Sequence, residues 1–232
     1  MKAILLDIEG TTTPIDFVHK TLFPFAKQRI GKYVEMHFHA LRDEINQLVE
    51  ESSNDRSYTV PFDPTEPGSV SAYLEHLIDE DRKSTPLKSI QGKIWQEGYE
   101  SGELVSDIFD DVPAAFDAWH AAGKTIAIYS SGSVLAQQLL FRYTTHGDLT
   151  PAISNNFDTE IGAKRDTESY RRIAASLSLE PGDVLFVSDI PAELDAARSA
   201  GMNTALAVRP GNAAIDGDVV HEIITTFADL KL

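Results

Sequence analysis

The 232-residue chain contains no cysteine, which excludes disulfides, thiolate metal sites and cysteine nucleophiles and is compatible with a reducing compartment. Long apolar runs are missing too. The first short one, Ala3 to Leu6, is cut off by Asp7, so the N-terminus reads neither as a secretory signal nor as a membrane span. A cytoplasmic protein without a membrane partner is expected. Positive charge is also scarce: 20 Lys and Arg stand against 36 Asp and Glu, a formal net charge of −16. Such a surface repels polyanions, so nucleic acid is not expected as a partner. A small anion is acceptable only where a metal ion or a local lysine reverses the field inside one cleft. Internal repeats, heptads and low-complexity tracts are absent.

What is present is an alternation of strand and helix. Four short apolar runs read as buried parallel strands: Ala3 to Leu6, Thr125 to Tyr129, Val184 to Val187 and Thr204 to Val208. Helical spacing links the last three, in Val134, Leu135, Leu139 and Leu140 and again in Tyr170, Ile173, Ala174 and Leu177. Gly123 and Gly201 stand where helices end, and Pro113 and Pro191 where helices begin. The expected fold is α/β, a doubly wound parallel sheet. More than a hundred residues separate the first two strands, far more than one crossover requires, so a helical domain is inserted there. Its apolar faces are Tyr33, Val34, Leu41, Ile45, Leu48 and Val49; Val70, Tyr73, Leu74, Leu77 and Ile78; and Leu87, Ile90, Ile94 and Trp95. Pro61, Pro64, Pro67 and Gly68 mark a loop within it, and Pro24 kinks or delays its first helix. The core is expected over residues 1–15 and 103–232, the helical insertion over 16–102.

Ligands of open α/β sheets bind beyond the carboxyl ends of the strands. The polar groups at those ends are Asp7 to Thr12, Ser130 to Ser133, and Ser188 with Asp189. Converging carboxylates repel one another unless a cation joins them, and oxygen donors of this kind favour Mg²⁺ over zinc. A phosphoryl group suits what remains, because its transfer depends on charge neutralisation and positioning. A carboxylate can attack phosphorus to give an aspartyl phosphate. Ser130 and the amides leading into the next helix can hold phosphate oxygens, and Lys164 can add a compact positive charge.

Together these residues resemble the haloacid dehalogenase superfamily of phosphohydrolases, whose four motifs match the strand-end groups in order. Asp7 falls on the first aspartate of that family's Asp-x-Asp motif, the nucleophile, and Glu9 replaces the second, the general acid and base. The string Asp7, Ile8, Glu9, Gly10, Thr11, Thr12, Thr13, Pro14 looks like the enolase-phosphatase branch of the methionine salvage pathway, which carries glutamate at this place. Further stretches agree: Tyr129 to Ser133, Phe157 to Thr159 ahead of Lys164, and Val208, Arg209, Pro210, Gly211, Asn212, Ala213. The resemblance spans nearly the whole chain. It implies enolisation and then dephosphorylation of 2,3-diketo-5-methylthiopentyl 1-phosphate, giving the acireductone 1,2-dihydroxy-3-keto-5-methylthiopentene. It also implies one Mg²⁺ per chain, bound by the Asp7 and Asp189 side chains and the Glu9 main-chain carbonyl. Ser130 and Ser131 would hold substrate, Lys164 would pair with its phosphate, and Glu193 would stand outside the metal's own ligands. The helical insertion would be a cap, with Phe17, Lys88, Gln91 and Trp95 as candidate substrate contacts, and the protein a monomer.

Each residue alone has a structural explanation: Asp7 can end a strand, the serines can cap a helix, and Lys164 can be a solvated lysine. Their joint occurrence in order is what favours a site. His37 and His39, two apart on a helix, point to different faces and are read as surface or packing residues. Trp95 and Phe17 are read first as packing, and the pairs Asp110, Asp111 and Glu50, Glu51 as solvated faces. Two other functions share parts of the pattern. A phosphatase of another small metabolite would keep the core, and a phospho-accepting receiver module also combines strand-end acids, a hydroxyl and a lysine. The long insertion after Asp7 does not suit a receiver.

Overall fold

A computed structural model of the chain describes residues 1–214 and 220–231. Along it run β1 (Ala3–Leu6), a helical turn α1 (Ile15–Phe17), a π-helical turn (Val18–Leu22), α2 (Phe23–His37), α3 (Arg42–Asn54), α4 (Pro67–Asp79) and α5 (Thr85–Glu100). Then follow α6 (Asp111–Ala121), β2 (Thr125–Tyr129), α7 (Val134–Arg142), β3 (Asn155–Phe157), α8 (Thr167–Ser176), β4 (Val184–Ser188), α9 (Pro191–Ser199), β5 (Asn203–Ala207) and β6 (Glu222–Ile224). The chain divides into two compact units, Met1–Val18 with Val105–Leu232, and His19–Leu104.

The first unit is built on a parallel sheet of order β3-β2-β1-β4-β5-β6. The chain starts at its centre, winds outward to β3, and then returns to the other side of β1 as β4. That reversal makes the β1/β4 boundary the topological switch point, where such sheets bind ligands. Register puts Leu6 opposite Ile128 on one side and Val187 on the other. The strand ends at Asp7, Tyr129 and Ser188 are therefore level. Alternate residues face alternate sides: Ala3, Leu5, Ala127, Tyr129, Val184 and Phe186 pack with Tyr170, Ile173, Ala174 and Leu194 in one buried cluster. Gly123 and Gly201 close their helices at φ 68° and 96°, donating to His120 O and Arg198 O, a conformation a Cβ would oppose.

Two strands carry no apolar run and were not expected. β3 presents Asn155 and Asn156 half-buried at an edge, where Asn156 Nδ2 donates to Gln137 Oε1 at 3.1 Å. On the opposite edge, β6 buries only Ile224. β5 begins one residue before the expected strand, at Asn203, and ends one before it, at Ala207.

The second unit is helical. Pro24 has no N–H for the helix ladder, and the chain widens into the π-helical turn just before α2 starts at Phe23. The Trp95 indole donates to Leu22 O at 2.9 Å and its ring stacks on Phe23 at 6.3 Å. The face expected over Tyr33 to Val49 is split between two helices by a 3₁₀ turn at Phe38–Ala40, and Val49 is 41% exposed. Pro67 and Gly68 open α4 instead of lying in the preceding loop, because proline's missing N–H is harmless in a first helical turn. That loop is anchored at Asp55, whose buried carboxylate accepts from Ser57 N at 2.9 Å, Ser57 Oγ at 2.6 Å and Tyr73 OH at 3.3 Å. Its pKa is held down at about 2 by the Ser57 hydroxyl first, with the Ser57 N–H and the charges of Arg82 and His76 adding to it, against the opposing effect of burial.

Candidate active site

β1 hands the chain to a tight loop. Asp7 N donates to Val187 O at 3.0 Å, keeping Asp7 in register with β4, and Ile8 N donates back to Asp7 Oδ1 at 2.8 Å. The Ile8 carbonyl then accepts from Thr11, Thr12 and Thr13 N–H in turn, at 3.1, 3.0 and 3.0 Å. Gly10 turns the chain at φ 67°. A Cβ there would stand 2.7 Å from Asp189 Cγ, so this glycine is what lets the β4 carboxylate lie against the β1 loop.

The Asp7 carboxylate belongs to a closed ring of side chains. Lys164 Nζ lies 2.7 Å from Asp7 Oδ1 and 2.7 Å from Glu193 Oε2. Ser188 Oγ completes the ring, 3.2 Å from Asp7 Oδ2 and 3.1 Å from Glu193 Oε2. All four side chains are buried or nearly so. Burial opposes the lysine's charge, but the carboxylates of Asp7 and Glu193 outweigh it and hold Lys164 above the usual lysine range. Glu193 is raised, by burial first and then by the charge of Asp7. Asp189 is pushed up to about 7, again by burial and then by Asp7.

Lys164 sits in a loop without regular structure, yet its backbone is tied at three successive carbonyls. Tyr129 OH donates to Gly162 O at 2.9 Å, Ser169 Oγ to Ala163 O at 2.8 Å and Tyr170 OH to Lys164 O at 2.6 Å. Two aromatic residues that look like core in sequence thus carry hydroxyls that position the catalytic lysine candidate. At the end of β2, Ser130 N donates to Phe157 O at 3.2 Å and Ser130 Oγ accepts from Gly132 N at 3.1 Å. Ser133 caps α7 by accepting from Ala136 N at 3.3 Å. Gln137 fastens this turn by donating to Gly132 O and Phe157 O at 2.9 and 2.8 Å. Ser131 is partly exposed on it.

The donors fit a divalent cation. Asp7, Asp189 and Glu193 place three carboxylates around one ammonium, and the lysine is already shared between two of them. Asp189 lies against Gly10, and burial followed by the charge of Asp7 opposes its ionisation, an opposition that a cation at this edge would relieve. Among the described residues no three His, Asp or Glu side chains form a ready cage. The oxygens that could hold Mg²⁺ here are the Asp7 and Asp189 carboxylates and the Glu9 main-chain carbonyl, hard donors of the kind that ion takes.

Glu193, expected outside the metal's own ligands, pairs directly with Lys164. Two expectations need correcting. Asp111 is no solvated acid: Oδ2 accepts from Arg209 Nη1 and Thr226 Oγ1 at 2.9 Å each and from Phe227 N at 2.6 Å. Glu51 likewise accepts from Ser84 Oγ at 2.7 Å. Ser188, a strand-end group to which the sequence pattern assigns no role, donates to Asp7 and Glu193, and strand alternation is the signal that turns its hydroxyl that way. His37 pairs with Glu97 at 3.4 Å and packs on Tyr33, as expected of a surface or packing residue. Phe17, Gln91 and Trp95 are buried and Lys88 is partly so.

With this sheet order, these switch-point carboxylates and a lysine-bridged aspartate, the chain is a hydrolase: the family model described as "Hydrolase: haloacid dehalogenase-like hydrolase" matches residues 1–201. The chain is 51% identical to an enolase-phosphatase E1 of Synechococcus elongatus, over 92% of this chain and 91% of that one. It is 46% identical to the enolase-phosphatase E1 of Drosophila persimilis, over 99% and 94%. The crystal structure of the UTR4 protein of Saccharomyces cerevisiae superposes with a TM-score of 0.77 at 34% identity, covering 99% of both chains. The chain belongs to the haloacid dehalogenase-like hydrolases and, within them, to the enolase-phosphatase family.

Proposed function

We propose that the chain converts 2,3-diketo-5-methylthiopentyl 1-phosphate to the acireductone 1,2-dihydroxy-3-keto-5-methylthiopentene, a step of methionine salvage, with Mg²⁺ bound by Asp7, Asp189 and the Glu9 carbonyl. The observation that carries this reading is the ring around Asp7, a buried carboxylate paired with Lys164 and hydrogen-bonded by Ser188, in a chain whose relatives bear the enolase-phosphatase name.

In the first step a base takes a proton from C1 of the substrate, the C–H electron pair forms the C1–C2 double bond, and the π pair of the C2 carbonyl moves onto its oxygen, which takes up a proton to give the enol. A bound Mg²⁺ would lower the cost of that charge and of the charge on the phosphoryl group. In the second step an Asp7 carboxylate oxygen attacks phosphorus, the bond from phosphorus to the C1 oxygen breaks, and that oxygen takes a proton. Glu9, two residues beyond the nucleophile, is assigned to give it. Water then cleaves the aspartyl phosphate, and the Glu9 carboxylate takes the proton back. Lys164 balances the phosphate's charge, and Ser130, Ser131 and the amides before α7 hold its oxygens. The cytoplasm and a monomeric state accord with this role.

The test supplies the diketone phosphate with Mg²⁺ and follows enol absorbance and released phosphate together. Both should rise continuously. A folded sample that produces neither would remove the assignment, and uptake of at most about one phosphoryl group per chain without continuing release of phosphate would favour a receiver.

A further inference from the structure

The string Val208 to Ala213 lies outside the ring of Asp7, Lys164, Glu193 and Ser188, yet two of its side chains grip the loop that follows Asp7. Asn212 Nδ2 donates to Gly10 O at 3.0 Å and to Ala207 O at 3.2 Å, tying the loop to the end of β5. Arg209 Nε donates to the next carbonyl, Thr11 O, at 3.2 Å. Arg209 is itself immobilised by Asp111 and by Thr225 O at 2.9 Å, with its guanidinium 4.9 Å from the Phe109 ring centre and 4.6 Å from that of Phe227.

The grip falls on the one residue of this loop with a glycine's rotational freedom. The Glu9–Gly10 peptide is anchored where Gly10 N donates to Thr13 O at 2.8 Å. In a trans peptide the carbonyl points opposite to the N–H, so this bond aims Glu9 C=O. The Gly10–Thr11 peptide is anchored by Thr11 N to Ile8 O at 3.1 Å and by Asn212 to its carbonyl. Asn212 Oδ1 lies 2.9 Å from where a Gly10 Cβ would stand, the point that the Asp189 carboxylate also crowds. That oxygen is buried and has no hydrogen-bond partner among the described residues, so it remains an acceptor beside Asp189.

We propose that Asn212 is a positioning residue for the metal-facing edge of the site: by holding the Gly10 carbonyl it fixes the far side of Gly10, the residue whose N–H bond to Thr13 O aims the Glu9 carbonyl and against which Asp189 is seated. The inference rests on the reading of Asp7, Glu9 and Asp189 as Mg²⁺ ligands. Groups that orient ligands in this way are worth about 10–100-fold in metal affinity.

The test is Mg²⁺ titration by calorimetry of the wild-type chain, Asn212→Ala, Asn212→Leu and, as a control, Ile173→Val, a buried core position remote in sequence from the loop. Leucine keeps the asparagine's bulk without its donors, so it covers the case in which the alanine variant fails to fold. Both Asn212 variants should bind Mg²⁺ about 10–100-fold more weakly, with circular dichroism spectra like wild type, while Ile173→Val keeps wild-type affinity. Wild-type affinity in folded Asn212→Leu would overturn this inference alone. An equal loss in Ile173→Val would also overturn it, showing general softening. A wild-type chain that takes up no Mg²⁺ would sink the metal reading and this inference together.

Discussion

Replacing Lys164 by methionine removes the ammonium from the centre of the buried ring and keeps most of the side-chain volume. Asp7 and Glu193, each 2.7 Å from Nζ, then face each other across an apolar thioether, with their side chains only 6% and 11% exposed. Removing one partner of a buried pair costs about 3–5 kcal/mol, because the remaining charge is left without compensation. For a chain of this length that corresponds to a fall of roughly 6–20 °C in Tm. The assay is thermal unfolding by circular dichroism in chelator, so that no divalent cation masks the loss. A second variant, Lys164→Met with Glu193→Gln, separates charge from packing. Neutralising one of the orphaned carboxylates should return part of the lost stability, and the double variant should melt above the single one. A single variant melting within about 2 °C of wild type would refute the ring as a coupled electrostatic unit. So would a double variant less stable than the single.

Other substitutions probe the site and the helical unit separately. Asp7→Asn should lower phosphate release at least about 1000-fold while the chain still folds, since an amide cannot form the acyl phosphate; near-native turnover would rule out Asp7 as nucleophile. Gly10→Ala forces a Cβ toward Asp189 at φ 67° and should cost roughly 1–3 kcal/mol in chemical unfolding and weaken Mg²⁺ binding in the same calorimetric titration. Tyr170→Phe deletes the donor to Lys164 O and should cost about 1 kcal/mol and lower kcat more than it raises KM, measured by steady-state kinetics. Asp55 has its pKa depressed from 3.8 to about 2. Its contribution, about 1–2 kcal/mol, is present in full above about pH 5 and is lost as pH falls from there toward 2. Asp55→Asn should therefore flatten the stability profile in that window, as read by urea unfolding.

The catalytic core was legible in the chain because its chemistry is local to strand ends. Asp7, Ser130 and Asp189 each follow a short apolar run, so strand periodicity alone delivers them to one edge of the sheet. Lys164 follows the three-residue edge strand β3, which has no apolar signature, so its charge made it a candidate for phosphate but strand periodicity did not place it at the site. Its positioning by Tyr129 and Tyr170 was hidden for a simpler reason: a tyrosine scores as an apolar side chain in a periodicity argument while its hydroxyl does polar work. The clamp of Asp111, Arg209 and Asn212 joins residues about a hundred positions apart in chain order, beyond any helical or strand repeat. In the helical unit the apolar faces were visible, but the break at Phe38–Ala40 was not, since nothing in the local sequence interrupts helical spacing there.

The central claim is that one site first removes a proton from C1 and then removes the phosphate. It is tested most directly with substrate carrying two deuterons at C1, turned over with Mg²⁺ while released phosphate and deuterium retained in the product are both counted. Obligatory enolisation predicts one deuteron lost to solvent for every phosphate released. Phosphate release with both deuterons retained would show simple hydrolysis of the ester and contradict the account.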